Sequence, residues 1–255
     1  MTSLAIIGGT GFDTLPDLVI EHRAPVTTPY GDTSAALLRG RLAGHPVLFL
    51  PRHGATHGIA PHQINYRANI QALAQVGVTD IIALGAVGGI AADCGPGVLC
   101  VPDQLIDYTS GRELTFFSDS SRGDERAAVL HSDFTSPYCE TLRQQLLTSA
   151  AAANVPIRAA GCLAVTQGPR LETAAEIRRL ERDGCDLVGM TGMPEAILAR
   201  ELGLCYAALT FVVNWAAGKA AGEITMDEIH ANLTACAGQV GQVLRAVVQV
   251  SGREC

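Results

Sequence analysis

Short apolar runs alternate along the chain with longer stretches in which apolar residues recur every three or four positions. Runs of the first kind predict buried strands, and stretches of the second kind predict helices that cover them. The predicted strands are residues 4–8, 46–50, 79–86, 98–106, 160–166, 186–190 and 205–213. The predicted helices are residues 62–76, 138–152, 172–183, 195–201 and 226–248.

The order of these elements predicts the fold class. Strands that alternate with helices form a sheet covered on both faces, so we expect a single-domain three-layer α/β/α fold over residues 1–255. Its central sheet should be mixed and largely parallel, with the ligand at the carboxyl ends of the strands. Residues 107–133 are polar and aperiodic, which predicts a functional segment or one buried at an interface.

Composition limits the classes of function. The chain has 255 residues, 48% of them hydrophobic, which suits one large core. A net charge of −7 argues against a nucleic-acid partner, because binding to phosphate backbones depends on clustered Lys and Arg. No apolar run approaches the roughly 18–20 residues of a membrane span, and residues 1–8 lack the basic stretch of a signal peptide. We therefore expect a cytoplasmic protein without membrane contact, whose eight cysteines are reduced because they contain no C-x-x-C pair.

A glycine-rich stretch, Gly8-Gly9-Thr10-Gly11, follows the first predicted strand. Backbone N–H groups in such a turn can bind an anion, and the Thr10 hydroxyl adds a donor. The stretch also resembles a dinucleotide-binding fingerprint, but the third glycine of G-x-G-x-x-G is missing and no long helix follows. A tight turn without a ligand is the alternative that this stretch alone leaves open.

Arg52, His53 and His57 follow the second predicted strand. An arginine at the carboxyl end of a strand can bind phosphate through two parallel N–H groups, and the histidines can supply further donors. The rival interpretations are a zinc site formed by His53, His57 and His62, or histidines that only fill the core. No nearby Cys, Asp or Glu supports a zinc site, so phosphate is favoured and no metal is expected.

A second glycine-rich stretch, residues 85–90, is predicted to form a turn after the strand 79–86. Close backbone packing explains this stretch equally well if it is taken alone. Because the carboxyl ends of parallel strands meet at one edge of a sheet, residues 8–11, Arg52 and residues 85–90 should converge. Three such strand ends together favour a phosphate site.

Three later stretches contain residues that can bind a ligand, each with a structural alternative. Glu172 lies where a helix is predicted to begin, and the helix dipole also favours a carboxylate there. Met190 and Thr191 follow a strand, although methionine also fills cores. Asn214 ends an apolar strand beside Trp215 and is either a turn residue or a reader of the ligand.

Taken together, these stretches resemble the trimeric purine nucleoside phosphorylase/methylthioadenosine phosphorylase family over essentially the whole chain. The features that carry the resemblance are Gly8-Gly9-Thr10-Gly11, Arg52-His53-Gly54 with His57, Asn65-Tyr66-Arg67-Ala68-Asn69, Gly168-Pro169-Arg170, Met190-Thr191 with Pro194-Glu195, and the segment around Asn214. The family reaction is reversible phosphorolysis, in which phosphate attacks the anomeric carbon and the purine leaves. The resemblance implies a pentosyltransferase of purine salvage that forms a homotrimer and takes a purine nucleoside and inorganic phosphate.

The resemblance also implies roles for individual residues. The phosphate ligands would be Thr10, Arg52, His53, Thr191 and the backbone at Ala86, with His57 as a weaker candidate. Met190 would lie under the ribose, Leu171 against the base, and Asn214 at N7 and the 6-substituent of the purine. His131 would come from the neighbouring subunit and close the 5′ end of the pocket. One departure is Gly85, where methylthioadenosine-specific members have a Thr hydroxyl near the phosphate.

The chemistry of phosphorolysis fits these residue types. Cleavage of the glycosidic bond builds positive charge on the sugar and negative charge on the purine, so preorganised donors stabilise the leaving base. Asn214 and Glu172 are therefore expected to act in catalysis. Phosphate is a co-substrate, and the reaction needs no nucleophilic side chain, metal or cofactor.

Two positions at the base indicate which nucleoside is cleaved. Relatives that act on adenine nucleosides resemble one another in having two Asp residues where this chain has Asn214 and Ala216. An amide NH₂ can donate to N7 and O6 of a 6-oxopurine together, although Asn can also read adenine. Glu172 favours the 6-oxo base, because its carboxylate accepts from N1–H, whereas adenine presents a bare acceptor at N1.

At the sugar, Met226 occupies the place where the inosine/guanosine enzymes resemble one another in having a His for the 5′-hydroxyl. An apolar, polarizable side chain suits a methylthio group. The expected reaction is therefore phosphorolysis of methylthioinosine to hypoxanthine and 5-methylthioribose 1-phosphate. Phosphorolysis of methylthioadenosine or of inosine and guanosine is the alternative within the class. A non-catalytic nucleoside-binding protein and a dinucleotide oxidoreductase are the alternatives outside it.

Overall fold

The computed structural model describes residues 3–117 and 130–251, and its main feature is a ten-stranded sheet with a separate two-stranded one. The strands, numbered in chain order, are β1 (Leu4–Gly8), β2 (Val19–Ala24), β3 (Thr27–Thr28), β4 (Gly31–Asp32), β5 (Leu37–Leu42), β6 (His45–Pro51), β7 (Asp80–Gly89), β8 (Leu99–Cys100), β9 (Gln104–Asp107), β10 (Cys162–Val165), β11 (Leu187–Gly189) and β12 (Cys205–Trp215). The helices are α1 (Tyr66–Gln75), α2 (Glu140–Ala152), α3 (Ala174–Arg182), α4 (Gly192–Glu201) and α5 (Met226–Ser251), and a short 3-10 helix covers Pro61–Gln63.

The large sheet is mixed, and helices cover both of its faces. β1 lies between β6 and β7 and is parallel to both, while β12 runs parallel to β7 along the other edge of β7. Apolar side chains of α2 and α5 pack against one face of the sheet, and those of α1 and α4 pack against the other. The predicted three-layer fold is therefore confirmed. No helix of the described ranges is long and apolar enough to cross a membrane.

The pattern of apolar residues does not predict the antiparallel edge of this sheet. β2 pairs with β5 and β5 pairs with β6, both in antiparallel orientation. Every side chain of β2 except the last is exposed, so residues 19–24 lack the alternation that marks a half-buried strand. An edge strand of this kind is held by backbone pairing, which leaves little trace in the sequence.

The predicted start of α3 and the predicted turn at residues 85–90 are wrong. The helix expected from Glu172 begins at Ala174, because Thr173 and Glu176 form a capping box there. Glu172 therefore lies in the preceding loop, outside the helix. Residues 85–89 form no turn but continue β7, since β12 pairs with β7 as far as Gly89, the last residue of β7.

One pair of cysteines contradicts the prediction that all are reduced. Cys139, which precedes α2, and Cys205, which begins β12, form a disulfide between positions separated by 66 residues. Their Cα atoms lie 5.2 Å apart, as is usual for disulfides. The pairing depends on α2 packing beside β12, a tertiary contact that cysteine spacing does not report. The free cysteines of the described residues are Cys94, Cys100, Cys162, Cys185 and Cys236.

Residues 108–117, in the segment predicted to be irregular, contain no helix or strand. Residues 118–129 of the same segment lie outside the described residues. The described part is not loose, because Thr115 donates its hydroxyl to Glu201 and the Phe116 N–H donates to the same carboxylate. Side-chain contacts to α4 thus take the place of regular secondary structure.

Candidate active site

A cavity of about 440 Å³ opens where β1, β6, β7, β11 and β12 approach one another. It brings together the residues that the sequence predicts for a site, which are Thr10, Arg52, His53, His57, Ala86, Leu171, Glu172, Met190, Thr191, Asn214, Ala216 and Met226. His131 is the exception, because it is exposed and does not line this cavity. The expected convergence of three strand ends is therefore observed.

The backbone of β7 is open toward the cavity at its middle. Along one edge, β7 pairs with β1 as far as Ala83 and with β11 only from Gly88. Residues 85–87 lie between these two partners and line the cavity. A Cβ atom on Gly85 would contact only the side chain of Thr210, at 3.6 Å, so crowding does not exclude a side chain there. This gap exposes backbone groups that can bind an anion.

The turn after β1 requires glycine. The Phe12 N–H donates to the Gly9 carbonyl oxygen and closes the turn. A Cβ atom on Gly9 would lie 2.6 Å from the Leu84 carbonyl oxygen and 2.8 Å from Nη1 of Arg52, so no side chain fits. Gly9 therefore allows the backbone to approach the Arg52 guanidinium, and it places Thr10 in the cavity.

Arg52 is a buried cation with a fixed partner. Its side chain is 1% exposed, and it donates to Glu195 twice, from Nε to Oε2 at 2.8 Å and from Nη2 to Oε1 at 2.6 Å. Nη1 donates to the Leu84 carbonyl oxygen at 2.8 Å, and the Tyr206 hydroxyl donates to Oε1 of Glu195 at 2.9 Å. Burial alone would lower the pKa of Arg52, but the Glu195 carboxylate outweighs it and raises that pKa. Arg52 is therefore charged.

Two histidines lie beside Arg52. Nδ1 of His53 is 2.8 Å from the Ile59 carbonyl oxygen, so Nδ1 carries a proton. Burial and the Arg52 charge lower the pKa of His53 to about 4, which leaves the ring neutral and Nε2 an acceptor near pH 7. The sequence suggested that His53 donates, but in this state its free nitrogen accepts. Nδ1 of His57 lies 2.6 Å from Asp13 Oδ1.

Thr191 lies at the N-terminus of α4. It occupies the N-cap position, yet its side chain makes no capping hydrogen bond. The hydroxyl is therefore not needed by the helix, and Thr191 lines the cavity. Met193 has an extended backbone that kinks the start of α4, so the group that this turn clearly offers to a ligand is the Thr191 hydroxyl. We call Gly9, Thr10, Arg52, His53 and Thr191, with residues 85–87, the Arg52 cluster.

Asn214 and Glu172 are polar residues of the cavity. Each side chain makes one hydrogen bond within the chain, and that bond limits which donors or acceptors remain for a ligand. Nδ2 of Asn214 donates to the Trp215 carbonyl oxygen at 2.8 Å, which leaves one N–H and the amide oxygen for a ligand. Two donations, to N7 and O6 together, are therefore not available in this arrangement. Oε1 of Glu172 accepts from the Thr166 hydroxyl at 2.7 Å. Oε2 of Glu172 has no hydrogen-bond partner among the described residues and can accept from a ligand.

A β-bulge directs two consecutive residues of β12 to the cavity. Val212 pairs with Val87 and Asn214 pairs with Gly88, so Val213 is skipped. Side chains of a regular strand alternate between faces, but an extra residue lets two neighbours face the same way. Val213 and Asn214 accordingly both line the cavity.

The rest of the cavity wall is apolar and more open. Met226 is 58% exposed and Leu171 is 44% exposed, and Ile224 lies with them in the wall. We call Leu171, Glu172, Ile224 and Met226 the Met226 cluster. Met190 is held close to the backbone, since a Cβ atom on Gly168 would lie 2.5 Å from its sulfur atom.

Comparison with known proteins assigns the family. The family model of the phosphorylase superfamily matches residues 3–249 of the chain. The chain belongs to this superfamily. The phosphorylase is 53% identical over 251 residues to a probable S-methyl-5′-thioinosine phosphorylase of Pseudomonas syringae pv. tomato, which covers 98% of this chain and 100% of that one. It is 44% identical over 229 residues to the 6-oxopurine nucleoside phosphorylase of Pyrococcus furiosus, which covers 90% of this chain and 85% of that one.

Solved structures agree with the assignment. Methylthioadenosine phosphorylase from Schistosoma mansoni, in complex with adenine, superposes with a TM-score of 0.94 at 32% sequence identity. The match covers 100% of the phosphorylase and 93% of that chain. The resemblance drawn from the sequence motifs is therefore confirmed, and so is the prediction of an enzyme of the pentosyltransferase class.

Arg112 is a residue of the phosphorylase that sequence reasoning missed. Its guanidinium donates to the backbone carbonyl oxygens of Thr166, Gln167, Met190 and Met193, at 3.3, 2.9, 2.9 and 2.5 Å. Thr166 and Gln167 lie in the loop that leads to Glu172, while Met190 and Met193 lie on either side of Thr191, the latter in the first turn of α4. In the sequence, Arg112 is one of three arginines in the irregular segment 107–133, and nothing there reveals its targets.

Within the described part of the phosphorylase, no three His, Cys, Asp or Glu side chains come together as a possible metal site. His53 and His57 are adjacent, with ring centroids 4.7 Å apart, but each already has an oxygen partner on its Nδ1. That no cofactor takes part in the reaction stays a prediction.

Proposed function

We propose that the protein catalyses phosphorolysis of S-methyl-5′-thioinosine to hypoxanthine and 5-methylthioribose 1-phosphate. Two observations support the substrate. Relatives named for this reaction are 51–55% identical over nearly the whole chain. The cavity combines an anion-binding group of residues, a free carboxylate oxygen and an apolar open wall.

Phosphate would bind to the Arg52 cluster. Thr10 and Thr191 supply hydroxyl donors, Arg52 supplies N–H groups, and the gap in β7 at Ala86 supplies backbone groups. Because neutral His53 accepts at Nε2, it would receive a hydrogen bond from a protonated oxygen of phosphate. His57 would be the weaker ligand, because its Nδ1 is already 2.6 Å from Oδ1 of Asp13.

Glu172 carries the preference for a 6-oxopurine. Its Oε2 would accept the N1–H of hypoxanthine, while the remaining N–H of Asn214 would donate to N7. Negative charge develops on the purine as the glycosidic bond breaks, so a donor at N7 is worth more in the transition state than in the bound substrate. Asn214 and Glu172 are thus the proposed catalytic residues, and no side chain acts as a nucleophile.

Met226, Ile224 and Met190 favour a methylthio group over a hydroxyl at the 5′ carbon. The first two form an apolar wall, and Met190 would lie under the ribose, with Leu171 and Ala216 against the base. This apolar wall offers a 5′-hydroxyl no hydrogen-bond partner, whereas a methylthio group packs against it. Inosine should therefore be a poorer substrate than its methylthio analogue.

S-methyl-5′-thioadenosine is the second candidate substrate, because of the contact between Asn214 and Trp215. After donating to Trp215, the amide keeps one N–H and one oxygen, which match the N7 acceptor and 6-amino donor of adenine. Glu172 opposes this alternative, because its carboxylate would face the N1 lone pair.

We further propose a cytoplasmic homotrimer in which His131 of a neighbouring subunit closes the cavity near Met226. The exposure of both residues in one chain supports this assembly. Light scattering at micromolar concentration should give three times the mass of the chain, and a fully active monomer would contradict the proposal.

The test of the proposed function is base release from four nucleosides in parallel, with and without phosphate. Methylthioinosine should be cleaved fastest, methylthioadenosine and inosine at least about tenfold more slowly, and none without phosphate. Equal rates with methylthioadenosine would reject the substrate, whereas cleavage without phosphate would reject the reaction class.

A further inference from the structure

Glu195 is a buried carboxylate that does not line the cavity. It lies on α4, is 0% exposed, and directs both oxygens at Arg52. Its third contact is the hydroxyl of Tyr206, on β12. A carboxylate removed from water in this way is costly unless it is fully paired, so its position follows that of its partners.

The contacts of Arg52 leave two of its N–H donors unoccupied. A guanidinium has five N–H groups, and here Nε, one N–H of Nη2 and one N–H of Nη1 are occupied. One N–H on each Nη nitrogen remains, and Arg52 lines the cavity. Two such N–H groups match the spacing of two oxygens of one phosphate.

The charges around this donor pair nearly cancel. The positive charge of Arg52 is balanced by Glu195, and His53 next to it is neutral near pH 7. Attraction of an anion to the Arg52 cluster therefore depends on the direction of its N–H groups more than on net charge. Binding of an anion therefore requires that the guanidinium of Arg52 is held in one orientation.

We propose that Glu195 is a positioning residue, which fixes the Arg52 guanidinium so that its two free N–H groups point at phosphate. The inference rests on the proposed phosphorolysis. Tyr206 supports the same arrangement, because its hydroxyl donates to Oε1 of Glu195.

Two variants separate orientation from charge. Glu195→Gln keeps the size of the side chain but has one acceptor oxygen, so it can satisfy only one of the two Arg52 donors. Glu195→Asp keeps the charge but is one methylene shorter, so it cannot reach both donors at the same place. The matched control is Glu201→Gln on the same helix, where the carboxylate contacts Thr115 and Phe116 but not Arg52.

The measurements are kcat/KM for phosphate and the affinity for hypoxanthine, with thermal melting as a check of folding. We expect both Glu195 variants to lose at least about tenfold in kcat/KM for phosphate, while hypoxanthine affinity stays within about twofold. Glu201→Gln should change neither.

Wild-type activity in Glu195→Asp would show that charge alone suffices and would overturn the proposal, as would wild-type activity in Glu195→Gln. An equal loss of hypoxanthine binding would overturn it too, because a merely structural role weakens both ligands. If either variant does not fold, the other still decides. A wild-type enzyme that needs no phosphate would instead reject the proposed function, whatever the variants do.

Discussion

The two sides of the cavity differ in how much of the site one chain completes. In the Arg52 cluster, Arg52 and His53 are buried, and each has a defined partner on its side-chain nitrogens. In the Met226 cluster, Met226 and Leu171 are largely exposed, and they offer surface rather than directed contacts. One chain thus fixes the side of the cavity where we propose that phosphate binds, and it leaves open the side proposed for the nucleoside.

Because of this difference, we expect the Arg52 cluster to serve the reaction itself and the Met226 cluster to determine which nucleoside is accepted. A preorganised, water-poor site strengthens each hydrogen bond to an anion, so the Arg52 cluster suits a step common to the superfamily. Single substitutions in an open apolar wall can change which substrate is accepted, at a modest cost in stability. Substitutions in the two clusters should therefore differ in size and in which kinetic constant they alter.

The largest effect is expected for Arg52→Ala. Removal of the guanidinium leaves Glu195 buried with only Tyr206 as a partner, which should lower the free energy of unfolding by about 3–5 kcal/mol. The kcat/KM for phosphate should fall by a factor of about 10² or more. Urea unfolding and steady-state kinetics test both values. Arg41→Ala, at an exposed pair with Glu21, is the control and should change stability by no more than about 0.5 kcal/mol.

Glu172→Gln tests the polar member of the Met226 cluster. The amide has no charge to strengthen a hydrogen bond from N1–H, yet it can donate to the N1 of adenine, so the substrate preference should move toward methylthioadenosine. A shift of about 1–3 kcal/mol, or roughly 5- to 160-fold in the ratio of kcat/KM values, is expected. Glu181→Gln, an exposed carboxylate of α3, is the control. An unchanged ratio would remove Glu172 from base recognition.

His53 should make stability depend on pH. Its pKa is lowered from 6.5 to about 4 in the folded chain, so protons bind the unfolded chain first as the pH falls. The contribution of neutral His53 to the free energy of unfolding is fully present above pH 6.5 and is lost progressively toward pH 4. The loss reaches about 2 kcal/mol at pH 5. Urea unfolding at pH 7, 6 and 5 should therefore show a shallower loss in His53→Gln than in wild type. Parallel losses would contradict a buried neutral His53, and His22→Gln, on the exposed strand β2, controls for removal of a histidine elsewhere.

The smallest effect is expected for Met226→His. A donor at this position gives the 5′-hydroxyl of inosine a partner, but the site is 58% exposed and solvent already competes there. The ratio of inosine to methylthioinosine kcat/KM should rise about threefold, corresponding to less than 1 kcal/mol. Met226→Leu keeps the wall apolar and should leave the ratio unchanged. A large effect on the phosphate KM would show that the two clusters are not independent.

The sequence predicts the parts of this molecule that local chemistry determines. Buried strands such as β1 and β12 leave runs of apolar residues, and Thr10 and Arg52 stand directly after strands that the sheet aligns. The pairing of Cys139 with Cys205 and the exposed strand β2 could not be predicted, because tertiary packing decides both.

The hydrogen-bond partners of individual side chains could not be predicted from the sequence either. Asn214 lines the cavity, but its donation to Trp215 depends on the local backbone path, which residue type does not report. Arg112 and Glu195 act on groups that are distant in sequence, so their contacts are visible only in the folded chain. Residue type indicates what a side chain can bind, while the fold decides which of its donors and acceptors are still free.

The bulge in β12 has a consequence for how the wall of this cavity can be varied. Because Val213 is skipped in the pairing with β7, adjacent codons specify two side chains that both line the cavity. Mutations at these codons can change the size and the polarity of the wall separately, without altering the strand register on either side. A library restricted to positions 213 and 214 would therefore test whether base preference can change at the bulge, with thermal melting to check that the buried position 213 tolerates each substitution.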